Sequence, residues 1–219
     1  MRRHYVVDGI GLWCQRLTTR MSAGCPALFC DRDGVIVEEI NYLGNPKDVR
    51  LISTAASVIR AANRLGISVV VVTNQSGIGR GYYGWRDFSN VQDRISQELA
   101  KVNATIDLVL ACAYHREARG EFRLDDHKWR KPNPGMMLEA ERLLKVNLAK
   151  SLIVGDRLSD LQAGSAAGIG RGLLVRTGYG AEEAQRLPHI SLASMQVDLA
   201  DDISGVKLWL NGLPNIRNE

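Results

Sequence analysis

The run Ile67-Ser68-Val69-Val70-Val71-Val72 has one polar member and no alternation, and it leads directly into Thr73-Asn74-Gln75. β-Branched residues in an unbroken row fit a strand covered on both faces, which is the condition of an interior strand in a parallel sheet. The rest of the chain from Pro26 onward agrees with that constraint. Ala27-Leu28-Phe29-Cys30 is a short apolar run that stops at Asp31, and Asp107 to Ala111, Ser151 to Val154 and Gly172 to Val175 read as three more strands. Between them, Ala55, Val58, Ile59, Ala62 and Leu65 fall at helical spacing with Gly66 as a stop, and Trp85, Phe88, Val91, Ile95, Leu99 and Val102 mark an amphipathic helix. Pro134 opens a helix carrying Met137, Ala140, Leu143 and Leu144, and Leu158 to Gly168 forms another. The fold class expected is therefore α/β, a doubly wound, Rossmann-like parallel sheet with helices on both faces. After Gly180 the pattern weakens, apart from Val206, Leu208, Trp209 and Leu210, expected to pack as a terminal helix.

Sheets of this type hold ligands at the carboxyl ends of their strands. The residues that follow the apolar runs are Asp31 and Asp33, then Thr73-Asn74-Gln75, then Gly155-Asp156, and the architecture brings them to one edge although they are far apart in the chain. Two carboxylates two residues apart suit attack on a phosphate monoester. Nucleophile and target are both anionic and repel by about 4 kcal/mol at a separation of about 4 Å and an effective dielectric of about 20. A divalent cation between them reverses the sign of that interaction. Mg²⁺ takes oxygen ligands, which Asp31 and Asp156 supply as carboxylates and Asp33 through its backbone carbonyl. Asp31 is then placed to form an aspartyl-phosphate, and Asp33 to protonate the leaving oxygen and later activate water. Gly34 permits the turn that aims both. Thr73 and Asn74 can donate to phosphoryl oxygens, Lys131 adds fixed positive charge, and Arg130 can reach a second anionic group. Asp160 either assists the metal as an outer acceptor or favours its own helix N-terminus. Singly, each motif is an ordinary turn, loop or cap; their joint order after separate strands carries the reading.

Bulk properties narrow the field further. The 219 residues suffice for one domain with a real core, and the division expected is an N-terminal arm over 1–25 followed by one domain over 26–219. Residues 1–24 leave two readings open, a start at Met21 or a short extra strand over Leu12 to Leu17. Net charge is +4, with Lys and Arg dispersed, which favours small anionic ligands over nucleic acid. Four scattered cysteines fit reduced thiols, and no segment approaches the apolar length of a membrane span, so a cytoplasmic monomer is expected.

Phe29-Cys30-Asp31-Arg32-Asp33-Gly34, Val71 to Ile78, Arg130-Lys131-Pro132 and Val154-Gly155-Asp156 together resemble the haloacid dehalogenase superfamily. The stretch Thr73 to Ile78 with Arg80-Gly81, and Arg130 to Met136, resemble its branch of D-glycero-D-manno-heptose 1,7-bisphosphate 7-phosphatases and histidinol-phosphatases. The likeness runs from about Pro26 to Gly178. It implies a core without a large cap domain, Asp31 as nucleophile, Asp33 as acid and base, Asp31, Asp33 and Asp156 at Mg²⁺, and Asn74 and Lys131 at the phosphoryl group, with Arg130 helping to select the substrate. Thr73 and Gln75, on either side of Asn74, are further candidates for phosphate or substrate contact. The substrate implied is a small phosphorylated metabolite, first the heptose bisphosphate and then histidinol phosphate. Repair of 3′-phosphorylated nucleic-acid ends is a second enzyme reading, and a non-catalytic binding role is the reading from another class. Relatives often carry structural zinc in the loop before Arg130. Here Cys112, His115 and His127 are the remaining candidates, the cysteine pair that relatives carry just before the Arg-Lys is missing, and a metal-free loop is expected. In the turn from Val37 to Gly44, Glu39, Asn41 and Tyr42 are candidates for sugar hydroxyls.

Overall fold

The computed structural model describes residues 3–18 and 23–213. Eight strands form one sheet: β1 (Arg3–Val6), β2 (Leu12–Arg16), β3 (Ala27–Cys30), β4 (Ser68–Asn74), β5 (Leu108–Cys112), β6 (Leu152–Gly155), β7 (Arg171–Val175) and β8 (Gln196–Ala200). Their spatial order is β1-β2-β5-β4-β3-β6-β7-β8. From β5 to β8 all neighbours are parallel; β2 runs antiparallel to β5, and β1 antiparallel to β2. The helices are α1 (Ala55–Arg64), α2 (Ser76–Gly79), α3 (Trp85–Ala100), α4 (Gly135–Leu144), α5 (Leu158–Ala166), α6 (Gly180–Glu183) and α7 (Val206–Asn211).

β4 shows why its sequence lacks alternation. Val69 and Val71 enter the core under α1, α3 and α7, while Val70 and Val72 enter the opposite core under α4 and α5. Both faces are covered, so both need apolar side chains. α1 buries Ala55, Val58, Ile59 and Ala62, and α3 buries Phe88, Val91, Ile95 and Leu99, each set on one stripe. Gly66 follows α1 with φ +81°, a left-handed stop that costs glycine nothing.

Three features depart from the expectations. β5 and β6 each begin one residue later than their apolar runs suggest, because the leading polar residues serve neighbouring strands: Asp107 Oδ2 accepts from Val69 N at 2.9 Å and Ser151 Oγ from Ala27 N at 2.9 Å. β8 is an additional parallel strand on β7. It is an edge strand, mostly exposed, and lacks the continuous apolar run that marks the interior ones. In α7, Val206, Trp209 and Leu210 are buried but Leu208 is 80% exposed, so it lies on the outer face of that helix. Leu12–Arg16 is a strand of the sheet; Met21 lies outside the described residues. No described helix is long and apolar enough to cross a membrane.

β3 sits at the centre. The chain moves outward from β3 through β4 to β5, then returns to place β6 on the other side of β3. The carboxyl ends of β3 and β6 therefore flank the point where strand order reverses, the crevice in which such sheets bind ligands.

Candidate active site

Asp31 follows β3, and its N–H donates to Val154 O at 2.9 Å, so the backbone that carries it is still pinned to β6. Its Oδ1 accepts from Arg32 N at 2.7 Å. The chain then reverses tightly: Ile36 and Val37 both donate to Arg32 O, and Gly34 donates to Val37 O. Gly34 has φ +78° and Gly178 φ +59°, and a Cβ at either would strike the Asp156 carboxylate. Two backbones thus approach Asp156 as only glycine allows. Asp156 follows β6, and its Oδ2 accepts from Tyr179 N at 2.9 Å. Asp160, in the first turn of α5, accepts from Arg157 N at 3.0 Å. Oxygens of Asp31, Asp156 and Asp160 come within 4.8 Å of one another, and all three residues are buried.

Lys131 faces this cluster. Its ammonium lies 2.5 Å from Asp160 Oδ1 and 3.1 Å from Asp31 Oδ1, and donates to Val72 O at 2.8 Å. Asn74 fixes the lysine backbone from both sides, donating to Lys131 O at 3.0 Å and accepting from Lys131 N at 3.1 Å. One ammonium among three buried carboxylates leaves excess negative charge. Burial, then the charges of Asp31 and Asp160, push the Asp156 carboxyl up to about 8. Burial raises Asp160 to about 6, with Lys131 pulling the other way. Burial opposes the charge on Lys131, but Asp160 and Asp31 outweigh it and raise its pKa. An all-oxygen, over-charged and buried set of this kind fits a hard divalent cation.

Asp33 stands outside the cluster and is held by its own network. Arg32, 1% exposed, donates to it through Nε at 3.1 Å and Nη2 at 2.9 Å. Gln75 Nε2 donates to Asp33 Oδ2 at 3.0 Å and to Thr73 Oγ1 at 2.9 Å, while Gln75 Oε1 accepts from Arg32 at 3.1 Å and from Tyr83 OH at 2.5 Å. All four hydrogen-bonding positions of that carboxamide are engaged by protein. The Arg32 guanidinium also rests 5.2 Å over the Phe88 ring. The Asp33 side chain keeps 18% exposure, so it remains reachable.

A cavity of about 390 Å³ joins these groups. It is lined by Asp31, Asp33, Thr73, Asn74, Gln75 and Lys131, and also by Arg130, Asp156 and Asp160. Glu39, Asn41 and Tyr42 form part of its wall. Glu39 accepts from Asn41 N at 2.6 Å, and burial followed by the Asp33 charge raises its pKa. Asn41 and Tyr42 have φ +53° and +65°, and the Asn41 side chain accepts from Tyr179 OH at 2.8 Å. The candidates Cys112, His115 and His127 do not converge. Cys112 is fully buried at the end of β5; His115 Nδ1 accepts from Glu117 N, and His127 Nδ1 from Trp129 N. Among the described residues, the grouping of ligand atoms close enough to share an ion is the Asp31, Asp156 and Asp160 set.

Sequence reasoning missed several residues of the site. Tyr179 lies just beyond β7, so the strand-end rule applied to that strand finds it. Arg157 lies 3.7 Å over the Tyr179 ring, next to Asp156 in sequence. Arg80, on the loop after α2, stood in the sequence only as part of the Arg80-Gly81 likeness and not as a site residue, and Tyr83 beyond it carried no signal.

The HAD-hydrolase-like family profile matches residues 128–203. A D-glycero-β-D-manno-heptose-1,7-bisphosphate 7-phosphatase of Mesorhizobium japonicum is 48% identical over 166 residues, covering 75% of this chain and 76% of that protein. Its namesake from Photorhabdus laumondii is 35% identical over 188 residues, covering 85% and 100%. Among solved structures, the D,D-heptose 1,7-bisphosphate phosphatase of B. bronchiseptica, complexed with magnesium and phosphate, superposes with a TM-score of 0.73 at 28% identity, over 85% of this chain and 98% of the other.

Proposed function

The chain belongs to the HAD-like hydrolases, among the heptose-bisphosphate phosphatases, and we propose that it removes the 7-phosphate of D-glycero-D-manno-heptose 1,7-bisphosphate with Asp31 as nucleophile. It is a phosphoric monoester hydrolase. The observation that carries the mechanistic reading is the meeting of Asp31, Asp156, Asp160 and Lys131 at the sheet's switch point.

In this reading the Asp31 carboxylate attacks phosphorus and the ester oxygen departs, leaving an aspartyl-phosphate. Asp33 delivers a proton to the departing oxygen and takes one from the water that cleaves the acyl phosphate. Arg32 and Gln75 hold Asp33 in place for both transfers, so Gln75 acts through Asp33 and not on the substrate. Lys131 opposes the charge that spreads over the phosphoryl oxygens, and Asn74 fixes its backbone while a second amide N–H of Asn74 can donate to the same oxygens. Asp31 and Asp156 carboxylates, the Asp33 carbonyl and the neighbouring Asp160 would hold Mg²⁺, which supplies charge neutralisation between nucleophile and phosphate when bound. Arg130 meets the second phosphate, with Arg80 and Arg157 in the same cavity. Glu39, Asn41 and Tyr42 meet sugar hydroxyls.

A turnover screen tests the substrate. The heptose bisphosphate should exceed histidinol phosphate and a 3′-phosphorylated oligonucleotide in kcat/KM by about a hundredfold, the size expected when a charged contact is lost. A preference for either of the others overturns the assignment.

A further inference from the structure

Because β2 runs antiparallel to β5, its first residue, Leu12, pairs with the last of β5, Cys112. The turn before Leu12 is thereby delivered to the carboxyl edge of the sheet, beside the loop that carries Arg130. Asp8 is the hub of that turn. Its Oδ1 accepts from the N–H groups of Ile10, Gly11 and Leu12 at 3.1, 2.9 and 3.1 Å, and its Oδ2 accepts from Tyr114 OH at 2.5 Å. Tyr114 is 5% exposed and packs against Gly11 so closely that a Cβ there would lie 2.6 Å from its ring. His127 stacks on the same ring with centroids 4.6 Å apart.

Both partners in this stack hold Arg130. Tyr114 O accepts from Arg130 Nη1 at 2.9 Å, and His127 O accepts from Arg130 N at 2.8 Å. The turn is itself anchored independently, since Trp85 Nε1 donates to Ile10 O at 2.7 Å and Ala113 N to Gly11 O at 2.8 Å. We propose that the N-terminal hairpin is a substrate-positioning element, in which Asp8, acting through Tyr114, fixes the Arg130 guanidinium for the second anionic group of a doubly charged substrate. Asp8 and Tyr114 are positioning residues: neither lines the cavity, and both act through an arginine that does. The proposal rests on the reading of Arg130 as the contact for that second group.

The test uses the full-length, Mg²⁺-supplied enzyme with two probes, the heptose bisphosphate and p-nitrophenyl phosphate, which has one anionic group. Tyr114→Phe removes one hydroxyl from a buried ring, and Asp8→Ala removes its acceptor; thermal melts establish that both variants fold. Each should raise KM for the bisphosphate about five- to tenfold, the loss expected from one ordinary intramolecular hydrogen bond, and leave kcat and the p-nitrophenyl phosphate KM within about twofold. The Tyr114→Phe/Arg130→Ala double variant should be no worse than Arg130→Ala alone. Equal losses on both probes, or losses that multiply in the double variant, overturn the proposal and leave the hairpin as a prop for the fold. If Arg130→Ala raises the bisphosphate KM while Tyr114→Phe and Asp8→Ala do not, the hairpin proposal alone falls. An unmoved KM in Arg130→Ala removes both it and the reading of Arg130.

Discussion

Lys131 touches Asp31 and Asp160 at once, from a side chain that is 1% exposed. Lys131→Met keeps the volume and removes the charge, which leaves the three carboxylates uncompensated. Phosphate release should fall by about a thousandfold, the scale of losing one transition-state donor, and the melting temperature should drop as well. Asp31→Asn acts in the opposite sense on the same cluster: turnover should vanish while the melting temperature holds or rises, because one buried negative charge is gone. Measurable turnover in Asp31→Asn takes the nucleophile role away from that residue. Gln75→Ala separates orientation from binding. With Asp33 and Arg32 no longer bridged, kcat should fall about ten- to a hundredfold with KM nearly unchanged; a raised KM at constant kcat would place Gln75 on the substrate. At this scale the sequence was informative wherever a polar residue closes an apolar run, as with Asp31, Asn74 and Asp156. It was silent on Arg32 as a partner, since a guanidinium between two aspartates looks like surface until its burial against Phe88 is seen.

α3 links elements that are distant in the chain. Phe88 is fully buried, meets Trp13 of β2 and Trp85 edge-on with centroids 5.5 Å from each, and lies beneath the Arg32 guanidinium. Phe88→Ala should cost about 3–5 kcal/mol in a denaturant melt, as for other buried aromatic truncations, and should lower kcat because Arg32 loses its support. Phe88→Leu, which keeps most of the volume, should recover much of the stability. Interior elements were readable because burial on two faces imposes continuous hydrophobicity, as in β4. β8 was not, since an edge strand that stays mostly exposed carries no continuous apolar run, and Gln196-Val197-Asp198-Leu199-Ala200 could equally be a loop. The chain's first strands were readable only as a possible strand, because pairing with β5 depends on a register that local pattern does not encode.

The whole molecule carries the cluster's electrostatics into its stability. Asp156 has an ordinary carboxyl value of 3.8 and is raised to about 8 in the fold, so between these values the folded state binds more protons than the unfolded chain. Its contribution is fully present below the unfolded value and is lost as pH rises through the folded one. In chelator the melting temperature should therefore fall from about pH 5 to about pH 8, and saturating Mg²⁺ should flatten that slope by binding the ionised cluster. Calorimetry across that range checks it; a melting temperature that climbs with pH in chelator would contradict the charge arrangement. Activity should vanish in EDTA and return with Mg²⁺. The pairing of Leu12 with Cys112 has a separate consequence for how the protein is made. At ribosomal speeds of about 5–20 residues per second, the hairpin is synthesised about 5–20 s before its partner strand is complete. The hairpin thus has to wait for β5, and during that wait its apolar Leu12, Trp13 and Cys14 are open to whatever holds nascent chains.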